Sequence, residues 1–146
     1  MKKLFSISIL ALCLLFPTIS MANQAKGLNV IVNTGDEQAQ AMAMVLSLMT
    51  IKKHNKKVNM VLCAKAGNLA NKNKTSSAIK RPDGKAPSPK QHLKMLIKLG
   101  ANIQVCPLYL PNLGADKSVL LNGITVAKPP VIAKRLLDTT FQNITF

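Results

Sequence analysis

Two cysteines in the body of this chain, Cys63 and Cys106, are the residues best suited by type to do chemistry. Each closes a short apolar run, Val58-Asn59-Met60-Val61-Leu62-Cys63 and Ala101-Asn102-Ile103-Gln104-Val105-Cys106. Such runs predict strands, and Pro107 stops the second one and turns the backbone away. A thiol there sits at the carboxyl end of its strand, the edge where open α/β sheets hold their ligands. A cysteine attacks only as thiolate, and an unperturbed thiol, with a pKa of ~8.5, is mostly protonated at neutral pH. Helix amino ends and lysines lower that value. The turn Asn33-Thr34-Gly35, Lys65 and the second helix start at Gly114-Ala115-Asp116 would supply such a field and hold an anionic substrate. Cys106 is therefore the candidate catalytic thiol, and Cys63 its candidate disulfide or resolving partner. Thr34, Gly35 and Lys65 are the candidate anion-binding residues. An inert buried thiol is the remaining reading of Cys106.

Other chemistries find little support. The spacing of the two cysteines matches no zinc pattern, and only two histidines exist to help them. The five acids are scattered, which argues against a carboxylate pair or a hard-cation site. No phosphate loop or dinucleotide fingerprint occurs. Neither a metal nor a cofactor is expected. His54 falls in the last turn of a predicted helix, a surface position, while His92 falls in the first turn of another and is a weaker candidate base for Cys106. With one tyrosine, four phenylalanines and no tryptophan, stacking platforms for single strands are missing. No groove-reading motif appears either, so nucleic acid is not an expected partner.

The first residues read as an address. Lys2 and Lys3 precede an apolar run from Leu4 to Phe16, Pro17 breaks it, and Ser20-Met21-Ala22 offers small residues to a signal peptidase. At about 13 residues the run is short of the ~20 a spanning helix needs. The expectation is a cleaved signal over 1–22, taking Cys13 with it, and an exported, periplasmic or secreted protein without stable membrane insertion. Residues 23–146 then suffice for one domain. The formal net charge is +15, about +13 once Lys2 and Lys3 leave. That balance favours acidic partners and anionic substrates.

These thiols need a frame, and the chain alternates as an α/β frame should. Leu28 to Asn33 is a first apolar strand, followed by Thr34-Gly35-Asp36-Glu37 and a helix from Gln38 to His54. That helix is apolar on most sides, which predicts burial on most sides and a subunit contact. Residues 64–87 form a long basic loop, with one helical turn around Gly67 to Ala70. Ser88-Pro89-Lys90-Gln91 opens the next helix with a capping box, and Gly100 ends it. Pro107 to Gly114 reads as a loop. Asp116 caps a short helix over Lys117 to Leu121, and Ile124 to Ala127 is a brief strand. Pro129-Pro130 starts a last helix, and Thr139 to Phe146 closes as a strand. The fold class expected is α/β: a three-layer sandwich with a mainly parallel five-stranded sheet, helices on both faces and flavodoxin-like winding. In the strand order 2-1-3 the two cysteine-bearing strands would flank the first, ~9.5 Å apart, too far for a direct disulfide.

Four pieces occur in order along residues 23–146. They are Val30 to Glu37, Cys63 to Ala70 with its Gly67-Asn68-Leu69-Ala70, the unit from Leu99-Gly100-Ala101 to Val105-Cys106, and Gly123-Ile124-Thr125-Val126-Ala127. Together they resemble the DsrE/DsrF family of sulfur-relay proteins. The resemblance implies an α/β sandwich, assembly into homo- or hetero-oligomers, and a sulfane-sulfur donor or acceptor protein as partner. It also implies a cysteine that carries sulfur as a persulfide, and Cys106 matches it in position. The predicted export and the longer basic loop at 72–87 depart from the cytoplasmic relay members. They argue against tRNA thiolation and leave periplasmic sulfur oxidation or trafficking. From the residues alone, a non-catalytic module holding an anion or an acidic partner, with structural cysteines, stays open.

Overall fold

The computed structural model describes residues 25–146; the expected signal over 1–22 lies outside them. Five apolar runs become strands: β1 (Gly27–Val32), β2 (Lys57–Leu62), β3 (Asn102–Val105), β4 (Thr125–Val126) and β5 (Phe141–Thr145). Between them lie α1 (Glu37–His54), α2 (Pro89–Lys98), α3 (Tyr109–Leu113) and α4 (Pro129–Leu136). Helix boundaries match their caps. The Asp36 carboxylate accepts from Ala39 N at 2.8 Å, and Lys52, Lys53 and His54 crowd the opposite end of α1. At α2 the capping box is complete. Gln91 N donates to Ser88 Oγ, and Ser88 N donates to Gln91 Oε1 at 2.8 Å, with Pro89 in the first turn. Gly100, at φ 80°, comes just after the last turn. Two expectations change. Tyr109–Leu113 is helical where a loop was expected, and the basic stretch opens with a full 3-10 segment, Ala64–Leu69.

All strand pairs are parallel, and their order is β4-β3-β2-β1-β5. This is the expected α/β sandwich with a mainly parallel five-stranded sheet, but the order 2-1-3 and the flavodoxin-like winding do not hold. The chain steps from β1 to β2 to β3 to β4 in one direction, then jumps back across the sheet to lay β5 beside β1. Right-handed crossovers taken in one direction place their helices on one face, and the return crossover places its helix on the other. Hence α1 and α2 share a face and α4 stands on the opposite one. The reordering makes β2 and β3 direct neighbours.

The two faces differ in chemistry. On one, Val30, Val32, Met60, Leu62, Ile103 and Val105 meet Ala43, Met44 and Leu48 of α1 and Leu93 and Leu96 of α2 in a continuous core. The alternate positions form the other face, where four asparagines stand in register: Asn143 beside Asn29, Asn29 beside Asn59, Asn59 beside Asn102. Asn59 Nδ2 donates to Asn29 Oδ1 at 3.0 Å, and Asn29 Nδ2 to Asn143 Oδ1 at 3.0 Å. Helix α4 satisfies the rest. The carbonyl of Arg135 accepts from Asn29 and that of Leu136 from Asn143, both at 2.7 Å. The Arg135 guanidinium donates to Gln104 Oε1 at 2.6 Å and to the Asn102 side-chain oxygen at 2.8 Å. An eight-residue helix seated on amides thus covers this face, and buried polar groups stay paired as they must.

Helix α1 is less buried than its composition suggests. Met42, Leu46 and Met49, spaced to share one side of the helix, are 53%, 40% and 38% exposed. Met95 and Leu99, at and after α2, are also exposed. Among the described residues, no helix is long and apolar enough to cross a membrane.

Candidate functional site at the carboxyl edge

Cys63 and Cys106 come together because β2 and β3 are neighbours. Leu62 pairs with Val105, and each cysteine is the next residue. The ladder runs on through them: Cys106 N donates to Leu62 O at 2.9 Å, and Cys63 N to Val32 O at 2.7 Å. Strand neighbours lie about 4.8 Å apart, half the separation that the expected order implied. Side chains alternate along a strand, so both thiols lie on the face opposite the core residues Leu62 and Val105. Both cysteines are free and partly exposed.

The pair is asymmetric. Burial, then the hydrogen bond with Cys106 and the negative charge of Cys106, push the Cys63 thiol up to about 11. Cys63 therefore keeps its proton at neutral pH. For Cys63, desolvation wins.

The expected anion-binding residues are only partly assembled. The aliphatic stem of Lys65 lies over Gly35, where a Cβ would fall 2.8 Å from Lys65 Cδ, so the turn after β1 and the segment after Cys63 touch. A side chain at position 35 would make the Lys65 stem shift. Thr34 is occupied locally: its Oγ accepts from Asp36 N at 3.0 Å and its carbonyl from Gln40 Nε2 at 2.8 Å. It shapes the turn and leaves its hydroxyl oxygen engaged in that turn. Asp116 caps its own short 3-10 segment, accepting from Ser118 N at 2.7 Å, and the Ser118 side chain, then this backbone bond, hold its carboxyl below the usual range.

The segments after the two thiols are clamped to each other. The Tyr109 ring, three residues after Cys106, packs on Gly67, four after Cys63; a Cβ on Gly67 would fall 2.3 Å from Tyr109 Cδ2. Tyr109 OH donates to Asn68 Oδ1 at 3.0 Å. Further on, Leu121 N donates to Ala70 O and Lys72 N to Val119 O, both at 2.8 Å. The basic loop is held back too. Ser77 N donates to Glu37 Oε1 at 2.8 Å, and the buried Lys90 ammonium donates to the carbonyls of Asn71 and Lys74. Burial, then Lys94, lowers the Lys90 pKa. Sequence reasoning gave no site role to Tyr109, Gly67 or Arg135. A visible signal existed for the row under Arg135, since an asparagine sits beside an apolar residue at the same step of four strands.

The histidines stand apart from this chemistry. His54 is exposed at the end of α1. His92 is buried with Nδ1 unpartnered, and burial, then Arg81 and Lys52, lower its pKa. Its charged surroundings are those of α1 and the basic loop, and the idea of His92 as a base for Cys106 gains nothing from them. Among the described residues, no group of three or more His, Cys, Asp or Glu could hold a metal.

No protein-family model matches this sequence, and no curated protein is significantly similar to it. Solved structures do match in shape. The ychN protein from E. coli superposes with a TM-score of 0.66 at 15% identity, over 82% of this chain and 99% of that one. A protein of unknown function from Methanobacterium thermoautotrophicum, MTH1491, gives a TM-score of 0.59 at 14% identity, over 84% of this chain and 100% of that one. Identity at that level carries the fold alone. The shared architecture is an α/β sandwich with a mainly parallel five-stranded sheet.

Proposed function

We propose that this chain is an exported member of the DsrE/DsrF group that takes up sulfane sulfur on Cys106 as a persulfide. The observation that carries this reading is the side-by-side pair at the sheet edge. Cys63 holds its proton, and Cys106, free and partly exposed beside it, is the sulfur left to attack a donor. The α/β sandwich suits the resemblance to sulfur-relay proteins, and Cys106 follows β3, where the resemblance expects the carrier. Lys65 and the basic loop beside Glu37 suit an anionic donor such as thiosulfate or polysulfide, or an acidic partner protein. The exposed stripe Met42, Leu46 and Met49 is the expected subunit contact. Export rests on the signal-like residues 1–22.

Mass spectrometry tests the proposal directly. The reduced protein exposed to thiosulfate or polysulfide gains one sulfur, mapped to Cys106, and C106S gains none. A wild-type Cys106 that stays unmodified with both donors refutes it. A second reading, a binding module without turnover, draws on the charge balance. Among the described residues, one ion pair is formed, Arg81–Asp83 at 2.9 Å, leaving most of the basic charge unpaired within the fold. Unchanged function in C106S favours that module.

A further inference from the structure

We infer that Cys63 resolves a persulfide formed on Cys106 of the same chain, so that sulfane sulfur enters from a donor and leaves as sulfide. This rests on the persulfide reading above and goes beyond carriage to the fate of the sulfur.

The geometry carries it. The two cysteines extend paired, neighbouring strands in register, at a spacing of about 4.8 Å. That spacing lies inside the Cα range of about 4.4–6.8 Å that a disulfide requires. Cys63 is extended, at φ −112° and ψ 164°, so its side chain continues the strand alternation and shares a face with that of Cys106. Both cysteines are partly exposed and neither is tied up in a bridge. The segments after them are bound together through Tyr109 on Gly67, Tyr109 OH on Asn68, and the Ala70–Leu121 hydrogen bond. This clamp keeps the pair from swinging apart while one sulfur is loaded.

The step balances without an outside reagent. The Cys63 sulfur attacks the inner sulfur of the Cys106 persulfide. A Cys63–Cys106 bond forms, the bond to the outer sulfur breaks, and the outer sulfur departs with the electron pair. The Cys63 proton goes to that departing sulfur, which leaves as hydrosulfide. The sulfane sulfur is reduced by two electrons, and the two cysteine sulfurs together are oxidised by two. Only the thiolate attacks, so the raised proton affinity of Cys63 slows this step, and the proton passes to the outer sulfur as the new bond forms. An acceptor protein must arrive by diffusion, whereas Cys63 is already in place. Release as sulfide is the default fate, and transfer to another protein requires an acceptor that arrives first.

The test uses thiosulfate as donor, because loading then releases sulfite and resolution releases sulfide. The purified, fully reduced wild-type protein is expected to give sulfite and sulfide in equal amounts, one of each per chain. The chain then becomes two hydrogens lighter, with the Cys63 and Cys106 peptides linked. C63S is expected to give sulfite, no sulfide, and a lasting extra sulfur on Cys106. A wild-type chain that keeps the extra sulfur with both peptides unlinked overturns the inference and leaves the persulfide reading standing. Sulfide release from C63S equal to wild type also overturns it. No sulfite and no added sulfur in either protein, with polysulfide tried as well, brings down the persulfide reading itself. The wild-type stoichiometry stands without the variant, so a folding defect in C63S leaves the inference open to refutation.

Discussion

Replacing Gly67 by alanine tests whether the clamp between the two thiol-bearing segments is real. An alanine Cβ at this position lies 2.3 Å from Tyr109 Cδ2 and 2.7 Å from both Cε2 and Cγ. The ring must move, and Tyr109 is half-buried with its hydroxyl on Asn68. Overpacking of this kind costs about 1–3 kcal/mol. Gly67 is not among the residues with positive φ, so its backbone suits alanine. With the ring absent, Gly→Ala should stabilise by about 0.4–1 kcal/mol through the unfolded chain. The sign of the substitution therefore reverses between the wild-type and Tyr109→Ala backgrounds. The coupling across the cycle is expected at about 1.5–4 kcal/mol. Urea denaturation of the four reduced proteins measures it. In G67A alone, closure of a Cys63–Cys106 disulfide under mild oxidant should also slow, because the displaced ring loosens the segment after Cys106. Equal costs of G67A in both backgrounds, or stabilisation by G67A alone, refute the clamp.

Other parts of the fold give three further expected outcomes. Ser88→Ala removes the hydroxyl half of the α2 capping box, leaving the backbone N of residue 88 on Gln91 Oε1, and should cost about 0.5–2 kcal/mol in thermal or urea unfolding, with Ser88→Asp retaining most of the stability. Arg135→Met keeps the stem over the sheet but leaves Gln104 and Asn102 without their charged donor; a loss of about 1–3 kcal/mol is expected, and an unchanged midpoint contradicts the role of Arg135 over the asparagine row. His92 binds a proton less readily in the folded chain than unfolded, owing to burial and then Arg81 and Lys52. Its contribution is intact above the unfolded value of about 6.5 and is lost as pH falls below it. Melting temperatures should therefore decline from about pH 6.5 downward, with a shallower decline in His92→Gln.

Much of the frame could be read from residue order. Alternating β-branched runs and capped helices gave a parallel α/β sheet, and a strand ending in Cys106-Pro107 put a thiol at its carboxyl edge. The Ser88 cap and the Gly100 stop were legible because they are made by neighbours in the chain. Burial of α1 was overestimated: composition shows how apolar a helix is, while packing decides which side stays exposed, and Met42, Leu46 and Met49 were left out. Tyr109 on Gly67 was invisible because the partners are 42 positions apart in sequence and meet only after the crossover from β2 to β3.

What the sequence determined by itself is that each thiol ends a strand. Local pattern sets strand, turn and edge, since these depend on residues a few positions apart. Which strand lies beside which was decided only by the tertiary structure. The second crossover continued in the direction of the first and set β3 against β2 on the side away from β1, so Cys63 became the neighbour of Cys106 instead of a residue one strand removed. Strand order is a property of how helices pack across a sheet, and no residue near either cysteine encodes it.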